Sequence, residues 1–588
     1  MMTDTPDLIL WNPIARRRRS PSDDFLDNGL AILKAFLAEQ GFEVEVIDWA
    51  RSNQWDKMTP RLLAVINRFL ASRLLSSRDS QSKTGRMVSR LVSPLFILTQ
   101  DLMSAVQKYF QNKMIRELAE YVRDSGCRVV GIKTWYGETY LAAKYFARLV
   151  RKLAPEILIV AGGPHPTTYR EAVLEDGVFD LAVAGEGERA LEGILSLAGR
   201  IQSKDKLLNE ISRVAGLSSL KNIIYRQNGK VEVSPPENTD ANRKVIPVYD
   251  NLEGKTWVHV IVDSLGCPWG RCNFCTHSRT YRKYSVRRPE SVVDEIEQMV
   301  SRGIGIFRFA GSSTRLSHAC RIAELIEQRG IRIFFSMFAR VESRAAEQHV
   351  YEKLVGSYRQ LLRSGFRSVF LGAESGNDTV NELVMNKGVM LKDIVATVKA
   401  MREASAIEGL PLDIGISLIY PAPTMGKISL GQLKAENIRL VEQVNPDSVL
   451  VSPPAPFPGS SWFNDKDRFG FELGESFVRK MLEYDYVLYK PLFLWPEIDM
   501  KLEGLSLRKI FEECGSLRKT LEDKGFVTEV TDVQFLMMRN AGYAGKEGVL
   551  TFKNQTQLAI LSCDYRWIDS LQARVNLASM AQASINKS

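Results

Sequence analysis

The chain has 588 residues, which is room for about three domains with sizeable cores. Hydrophobic residues make up 45% and charged residues 25% of it, as in ordinary globular proteins, and no apolar run reaches the roughly 20 residues that span a bilayer. Three of the seven cysteines share one short loop, so a disulfide framework is not indicated. Because the N-terminus is acidic and does not resemble a secretory signal, we expect a reducing, cytoplasmic compartment.

The net charge of +9 is concentrated in a basic insert, residues 51–113, which carries eleven lysines and arginines against three aspartates. Apolar residues at helical spacing, such as Leu62, Ile66 and Phe69, predict that this insert is helical. A basic amphipathic segment can cap a domain, lie on a membrane surface or meet an acidic partner. We favour the cap and leave peripheral membrane contact open, without membrane insertion. No nucleic-acid motif accompanies the charge, so nucleic-acid binding is not predicted.

Strand and helix patterns alternate in the first part of the chain, for which we predict one domain over residues 1–217. The predicted strands are Leu8–Trp11, Phe42–Trp49, Cys127–Thr134, Ile157–Ala161 and Phe179–Val183, with a helix over Asn28–Gln40. Such alternation is typical of an α/β fold with a doubly wound, Rossmann-like parallel sheet. Ligands of such sheets bind beyond the carboxyl ends of the strands.

Glycines, carboxylates and hydroxyls follow the last three of these strands. They are Tyr136, Gly137, Glu138 and Thr139, then Gly162, Gly163, His165 and Thr167, then Gly185, Glu186, Gly187 and Glu188. Glycine pairs let the backbone approach a flat, bulky ligand closely. A G-x-G-x-x-G sequence does not follow the first strand, so a dinucleotide is not predicted. His165 either shapes its loop or contacts the ligand, and both interpretations stay open.

A second alternating region is predicted over residues 251–471, after a connector with a small hairpin over residues 218–250. Its strands are predicted near residues 257–262, 305–310, 331–337, 367–373, 412–419 and 447–452, with helices between them. Six βα units suit a partial TIM-type (β/α)6 barrel, in which active-site groups gather at the carboxyl ends of the strands. Residues 472–588 are predicted to be mostly helical, with aromatic residues between Tyr484 and Trp495 that form either a core or the floor of a pocket.

The loop that leaves the first of these strands reads LGCPWGRCNFCTH and carries Cys267, Cys272 and Cys275. Thiolate clusters on such loops bind soft metals and iron–sulfur clusters. A structural zinc site needs four protein ligands, and His277 could be the fourth. Alternatively, the three thiols are buried and bind no metal. Three ligands without a fourth favour an iron–sulfur cluster that keeps one iron open.

These residues resemble the radical SAM superfamily, whose signature is C-x3-C-x2-C with an aromatic residue before the last cysteine, here Phe274. This chain has one additional residue between the first two cysteines. The GGPHPT and GEGE runs of the first domain resemble the cobalamin-binding domain that precedes the barrel in one radical SAM subfamily. The D-x-H-x-x-G loop of full cobalamin carriers is replaced by residues 12–23, which hold four arginines and no histidine, so the resemblance implies cobalamin without that lower ligand.

The resemblance also assigns residues at the barrel's strand ends. AGSS, with Gly311 and Ser312, stands where a Gly-Gly-Glu-like run is usual, and GAESG supplies Glu374 and Ser375 for cofactor contacts. Ser336 and Arg340 lie one helical turn apart, and the guanidinium is suited to pair with a carboxylate of cofactor or substrate. A surface arginine that caps a helix is the alternative.

The resemblance implies that the three thiolates hold a [4Fe–4S] cluster, whose open iron binds S-adenosylmethionine and yields a 5′-deoxyadenosyl radical on reduction. In the methyltransferase members, methylcobalamin then methylates a carbon of a small-molecule or peptide substrate. An electron donor such as flavodoxin or ferredoxin is implied as partner. No protein side chain is assigned as a catalytic acid or base. Rearrangement or cyclisation without methyl transfer, and a non-catalytic cobalamin sensor or carrier, are the alternatives.

Overall fold

A computed structural model describes residues 5–79, 83–135, 137–281, 283–311, 313–484 and 497–587. Tyr136 and Ser312 lie outside the described residues, as does most of the aromatic cluster predicted between Tyr484 and Trp495.

The first domain is built on a seven-stranded sheet of order β2-β1-β3-β4-β5-β6-β7. Its strands are β1 (Leu8–Asn12), β2 (Val44–Asp48), β3 (Val129–Lys133), β4 (Leu158–Gly162), β5 (Leu181–Val183), β6 (Ile223–Gln227) and β7 (Lys230–Val233). The first five are parallel. The predicted connector hairpin is β6–β7, which pairs antiparallel with β5 and so extends this sheet. An order of 2-1-3-4-5 places the ligand-binding switch point between β1 and β3.

Helices cover both faces of this sheet. They are α1 (Asn28–Glu39), α2 (Ser52–Met58), α3 (Arg61–Asp79), α4 (Lys83–Asp124), α5 (Gly137–Leu153), α6 (Pro164–Tyr169), α7 (Glu188–Arg200) and α8 (Lys204–Gly216). The predicted helical insert corresponds to α2, α3 and the first part of α4. Two apolar cores result, one on each face of the sheet.

The second domain is a six-stranded parallel sheet of order β15-β14-β13-β12-β11-β8. The strands here are β8 (His259–Ile261), the short antiparallel pair β9 (Ser264–Leu265) and β10 (Ser285–Val286), β11 (Ile306–Phe309), β12 (Phe334–Ala339), β13 (Phe366–Glu374), β14 (Asp413–Ile419) and β15 (Ser448–Ser452). β8 and β15 stand at opposite edges, so the barrel is open on one side. The predicted α/β class and partial barrel are confirmed.

Helices that cover the outside of the barrel alternate with its strands. They are α10 (Pro289–Ser301), α11 (Leu316–Gln328), α12 (Gln348–Arg363), α13 (Leu391–Glu408) and α14 (Leu430–Val444). Two short helices lie in loops, α9 (His277–Thr280) after the three cysteines and α15 (Ser461–Asn464) after β15. Local signals set their bounds: Ser429 and Gln432 form a capping box at the start of α14, and Gly409 ends α13 in the left-handed conformation.

The C-terminal region is mostly helical, as predicted, and three short antiparallel strands precede most of its helices. They are β16 (Phe471–Leu473), β17 (Met500–Leu502) and β18 (Leu505–Ser506), and the helices are α16 (Phe477–Glu483), α17 (Leu507–Asp523), α18 (Asp532–Asn540), α19 (Gly545–Ser562) and α20 (Arg566–Ser584). α18 packs against β12, β13 and β14. Its buried Asp532 accepts a hydrogen bond from Arg308 Nε of β11 at 2.8 Å, which ties this region to the barrel.

Candidate functional site

The three-cysteine loop follows β9 and is fixed to the segment that follows β13. Asn273 donates from its backbone N to Met385 O at 2.9 Å and from Nδ2 to Val384 O at 3.0 Å. Trp269 Nε1 donates to Asn386 O at 2.7 Å. Asn386 returns the contact through its Nδ2, which donates to a carbonyl of the loop at 2.9 Å. The thiol loop is therefore held by a second loop of the barrel that lies more than a hundred residues away in sequence.

Trp269 lies in the four-residue spacer between the first two cysteines, where the chain has one residue more than the usual signature. The Arg340 guanidinium lies 4.5 Å from the centre of the Trp269 ring, and its Nη2 donates to Gly388 O at 3.2 Å. A Cβ on Gly388 would lie 2.3 Å from the Trp269 ring, so the close contact requires glycine there. The longer spacer thus gives the loop an aromatic anchor.

The three cysteines of this loop are free thiols of intermediate exposure. Burial raises the pKa of Cys272 to about 11, against the opposing effect of Lys387. Burial also raises the pKa of Cys275, which interacts electrostatically with Cys267. Nearby cations and partial burial suit a site where thiolates bind a cationic centre.

Within the described ranges, no three His, Cys, Asp or Glu side chains converge as a single metal ion would require. A cubane cluster binds each thiolate through a different iron, so its ligands need not meet at one point. The donor set of three free thiols on one loop fits such a cluster. His277, the residue considered for zinc, instead stacks on Tyr281 with ring centres 6.0 Å apart.

A buried ion pair lies beside the thiols. Lys387 Nζ donates to Glu374 Oε1 at 2.7 Å, and Ser417 Oγ donates to Glu374 Oε2 at 3.2 Å. Burial disfavours the ammonium, but Glu374 and the nearby Cys272 thiol raise the pKa of Lys387 above its ordinary value. Glu374 itself has φ of 63°, a strained conformation for a residue with a side chain. Lys387 and Ser417 thus fix the Glu374 carboxylate next to the thiol loop and help to maintain its strained backbone.

The other described residues that were predicted at the barrel's strand ends, and Phe274 of the thiol loop, make contacts within the barrel or around it. Gly311 N donates to the buried Asp263 Oδ1 at 2.9 Å, and a Cβ on Gly311 would lie 2.2 Å from Ser264 Oγ. Ser336 is fully buried on β12, and Ser375 Oγ accepts a hydrogen bond from Asn377 N at 3.2 Å. The Phe274 ring centre is 5.8 Å from that of Trp462 and packs against the barrel core.

A cavity of about 870 Å³ separates the strand ends of the first sheet from the mouth of the barrel, and we call it the inter-domain cavity. From the first domain it is lined by Gly162, Gly163, Thr167, Gly185, Glu186, Gly187 and Glu188. From the barrel it is lined by Gly311 and by Thr276 and His277, which directly follow Cys275. The structure therefore brings the thiol loop and the ligand-binding edge of the first sheet to one space.

The glycine loops of the first domain are joined by hydrogen bonds at the rim of this cavity. Thr167 Oγ1 donates to Gly163 O at 2.8 Å and accepts from Gly185 N at 2.9 Å. A Cβ on Gly162 would meet no atom within 4 Å, so this backbone borders open space. A rim of backbone with an open face fits a large planar group such as a corrin.

The two carboxylates of the GEGE run share one lysine. Glu186 and Glu188 both pair with Lys244, the former at 2.8 Å. Burial raises the pKa of Glu186, although Lys244 opposes this. Lys244 therefore fixes the loop and balances one of the two negative charges at the rim.

A second cavity of about 930 Å³ adjoins the first and is lined by the switch-point residues of the first sheet, both edge strands of the barrel and the C-terminal region. Thr139 and His165 line it, as do Val260 of β8 and Ser452 of β15. Its wall also includes apolar side chains of the C-terminal region, such as Phe477. We call it the apolar cavity. It lies between the two edge strands of the barrel and shares Asp27, Lys133 and Pro164 with the inter-domain cavity.

Two of the predicted residues at the end of β3 contact other parts of the chain. A Cβ on Gly137 would lie 2.1 Å from Glu483 O, so the absence of a side chain lets α16 approach. Glu138 accepts from Arg16 Nη2 at 2.8 Å, and although burial opposes ionisation, Arg16 keeps the pKa of Glu138 low. Neither contact was evident from the sequence pattern.

Asp27 and Lys133 were not singled out from the sequence, yet they line both cavities and form an ion pair. Asp27 is also the N-cap of α1 and accepts from Leu30 N at 3.2 Å and from Asn12 Nδ2 at 3.2 Å. Burial opposes ionisation of this carboxyl, but Lys133 holds the pKa of Asp27 low. The N-cap pattern before α1 was the one available sequence signal for Asp27.

His165 connects the glycine loop to the C-terminal region. It is 5% exposed, and its Nε2 lies 2.8 Å from Leu482 O, to which it donates in the neutral tautomer. The ring lies between those of Tyr140 and Tyr169, with centres 5.1 and 5.2 Å away. His165 thus shapes its loop, and this side chain also lines the apolar cavity.

Acid is expected to weaken the fold through His165. Burial lowers the pKa of His165 to about 4, from 6.5 in the unfolded chain. Between these values the unfolded state binds a proton that the folded state excludes, so stability falls by about 3 kcal/mol as the pH drops through this window. Urea unfolding across the window should show this loss in the wild type and a smaller loss in His165→Gln. Equal losses in both proteins would contradict it.

The fold and this site define a protein in which a cofactor-binding parallel sheet faces a half-open barrel with a three-thiol loop. Sequence models of two known families match the chain in those places: the B12 binding domain over residues 101–195 and the radical SAM superfamily over residues 261–410. The chain therefore contains a B12 binding domain followed by a radical SAM domain, the combination implied by its resemblance to the cobalamin-binding radical SAM enzymes. This confirms the resemblance found in the sequence and the cofactors of the family: cobalamin, S-adenosylmethionine and a [4Fe–4S] cluster.

Known relatives include the anaerobic magnesium-protoporphyrin IX monomethyl ester cyclase of Rubrivivax gelatinosus, 23% identical over 335 residues. That match covers 54% of this chain and 55% of the cyclase, so the chain spans about half of this relative. An uncharacterized methyltransferase of Pyrococcus horikoshii is 23% identical over 360 residues, which are 58% of this chain and 70% of the relative. Among solved structures, the fold resembles that of the radical S-adenosylmethionine methyltransferase TsrM from Kitasatospora setae with cobalamin and [4Fe–4S] cluster bound. The superposition covers 95% of this chain and 99% of the TsrM chain, with 14% identity and a TM-score of 0.59. At that identity the likeness shows a common fold.

Proposed function

We propose that this protein methylates an unactivated carbon of a biosynthetic intermediate, with cobalamin, S-adenosylmethionine and a [4Fe–4S] cluster as cofactors. The observation that carries the proposal is the inter-domain cavity, lined on one side by the glycine rim of the first sheet and on the other by Thr276 and His277 of the thiol loop. A methyl donor and a radical generator on opposite walls of one space suit methyl transfer to carbon.

The chain's own residues hold and orient the groups. Cys267, Cys272 and Cys275 would bind the cluster, and the rim formed by Gly162 and Gly163 would lie against the corrin. The cofactors supply the radical and the methyl group when bound, while the protein provides positions and a water-poor space.

Within the barrel, Glu374 is the residue we assign to cofactor contact. Its carboxylate is oriented by Lys387 and Ser417, so it offers fixed acceptor oxygens beside the thiol loop. The adjoining apolar cavity, which lies between the two edge strands of the barrel, is the space we assign to the substrate. A small molecule or an extended peptide side chain would fit its 930 Å³.

The function is tested by anaerobic reconstitution with iron, sulfide and cobalamin, followed by incubation with S-adenosylmethionine and a chemical reductant. We expect both 5′-deoxyadenosine, from reductive cleavage, and S-adenosylhomocysteine, from donation of the methyl group. Cys272→Ala should abolish 5′-deoxyadenosine, whereas Cys320→Ala, which removes a comparably exposed thiol outside the loop, should keep it.

The products separate the alternatives. 5′-Deoxyadenosine without S-adenosylhomocysteine would contradict methyl transfer and favour rearrangement or cyclisation. No 5′-deoxyadenosine above the Cys272→Ala level would contradict radical chemistry altogether and favour a cobalamin sensor or carrier.

A further inference from the structure

The pair of helices α3 and α4 has an inner face that is packed on the C-terminal region. Leu70, Ala71 and Phe96 form a small buried cluster against Leu558 and Leu561 of α19. On α4, the buried residues recur at helical spacing toward the body of the protein. This face is therefore fully used by the fold.

The opposite face of the same two helices presents large apolar side chains to the outside. On α3 they are Leu62, Ile66 and Phe69, and on α4 they include Leu91, Leu98 and Leu102. Leu62 is 77%, Leu91 70% and Leu98 65% exposed. The spacing of three, four and seven residues places each set on one stripe. Contiguous exposed apolar surface of this kind marks an interaction site.

The exposed surface of the segment that carries this apolar face is basic. Among the described residues of 51–113, the exposed cations are Lys57, Arg61, Arg73, Arg90, Lys108 and Lys113, and the exposed acids are Asp56 and Asp101. The Arg73 guanidinium lies 5.2 Å from the centre of the exposed Phe69 ring. A cation thus lies beside the apolar stripe on a basic segment, a combination typical of helices that lie in a membrane interface.

We propose that the outer face of α3 and α4 docks on a phospholipid surface that carries anionic headgroups. The apolar stripe would enter the boundary between headgroups and acyl chains, and the exposed cations would pair with the headgroup phosphates. None of the described helices is long and apolar enough to cross a bilayer, so contact from one side is the geometry that fits. The proposal does not depend on the proposed function.

The docking face is connected to the apolar cavity through the inner side of α4. Ser104 of α4 accepts from Arg16 Nη1 at 3.2 Å, and the carbonyl of Gln100 accepts from Arg17 Nη2 at 3.1 Å. Arg17 lines the apolar cavity. A membrane under α3 and α4 would therefore lie against the helices that hold the wall of this cavity. This suits an apolar, lipid-borne substrate, a consequence of docking that, unlike the docking itself, rests on the proposed function.

Flotation of the full chain with vesicles tests the proposal. Binding is expected with vesicles of phosphatidylcholine and phosphatidylglycerol, and much less with phosphatidylcholine alone. Leu91→Gln/Leu98→Gln should lower the bound fraction at limiting lipid by roughly tenfold or more, since two leucine side chains no longer enter the apolar layer. Leu217→Gln is the matched control, because Leu217 is also 65% exposed but lies at the end of α8.

A charge variant separates electrostatic attraction from apolar insertion. Arg61→Gln/Arg90→Gln should lower binding to phosphatidylglycerol vesicles by about fivefold per charge removed. A melting temperature equal to that of the wild type shows that a variant is folded. If the leucine variant does not fold, the charge variant alone tests the proposal. The proposal is overturned if the wild type does not float, if neither variant binds less, or if the leucine variant converts a lipid-free dimer into a monomer, which would make this face an interface between two copies.

Discussion

Replacing Lys387 by methionine is expected to lower the free energy of unfolding by about 3–5 kcal/mol. Lys387 Nζ lies 2.7 Å from Glu374 Oε1, and the two side chains are only 11% and 9% exposed. Methionine keeps much of the length of lysine but leaves the Glu374 carboxylate buried without a countercharge. Most of the lost stability comes from this unpaired buried charge. Denaturant unfolding at neutral pH measures the loss.

Two further variants show that the loss comes from a buried charge. Glu374→Gln/Lys387→Met removes both charges and should recover most of the stability. Lys34→Met breaks a pair of similar length, 2.6 Å to Asp250, whose side chains are 23% and 48% exposed, and should cost less than about 1 kcal/mol. Equal losses in Lys387→Met and Lys34→Met would contradict the prediction.

The alternation of strands and helices could be predicted from the sequence because each buried parallel strand is a short apolar run between amphipathic helices. The strand predicted at residues 305–310 is Ile306–Phe309, and that at 412–419 is Asp413–Ile419. The C-terminal sheet was missed because its strands are too short for a pattern: Leu505–Ser506 has two residues. Strands of that length are stabilised by tertiary contacts, and they are too short to show an alternation of apolar and polar residues.

The candidate site could be predicted where a motif concentrates it in one stretch. Cys267, Cys272 and Cys275 were found from their spacing alone. The contact of Trp269 with Asn386 joins residues 117 positions apart, and no local pattern predicts it. The ends of parallel strands likewise marked Gly137 and His165, but their contacts with Glu483 and Leu482 depend on where the C-terminal region packs.

Replacing Gly388 by alanine is expected to weaken iron binding by about 10- to 100-fold, the range seen when groups that orient metal ligands are changed. A Cβ at this position would lie 2.3 Å from two atoms of the Trp269 ring. The ring must therefore move, which breaks its hydrogen bond to Asn386 O and releases the thiol loop from its support. Iron and sulfide retained after anaerobic reconstitution and desalting measure the effect.

The variant Gly409→Ala is a control for backbone strain. Gly409 has φ of 64° and Gly388 has φ of 63°, so alanine is strained to the same degree at both positions, by about 1 kcal/mol. A Cβ on Gly409 meets no atom within 4 Å, so Gly409→Ala should retain iron as the wild type does. If both variants lost iron equally, strain and not the displacement of Trp269 would be the cause. If neither did, the aromatic anchor would have no part in holding the cysteines in place.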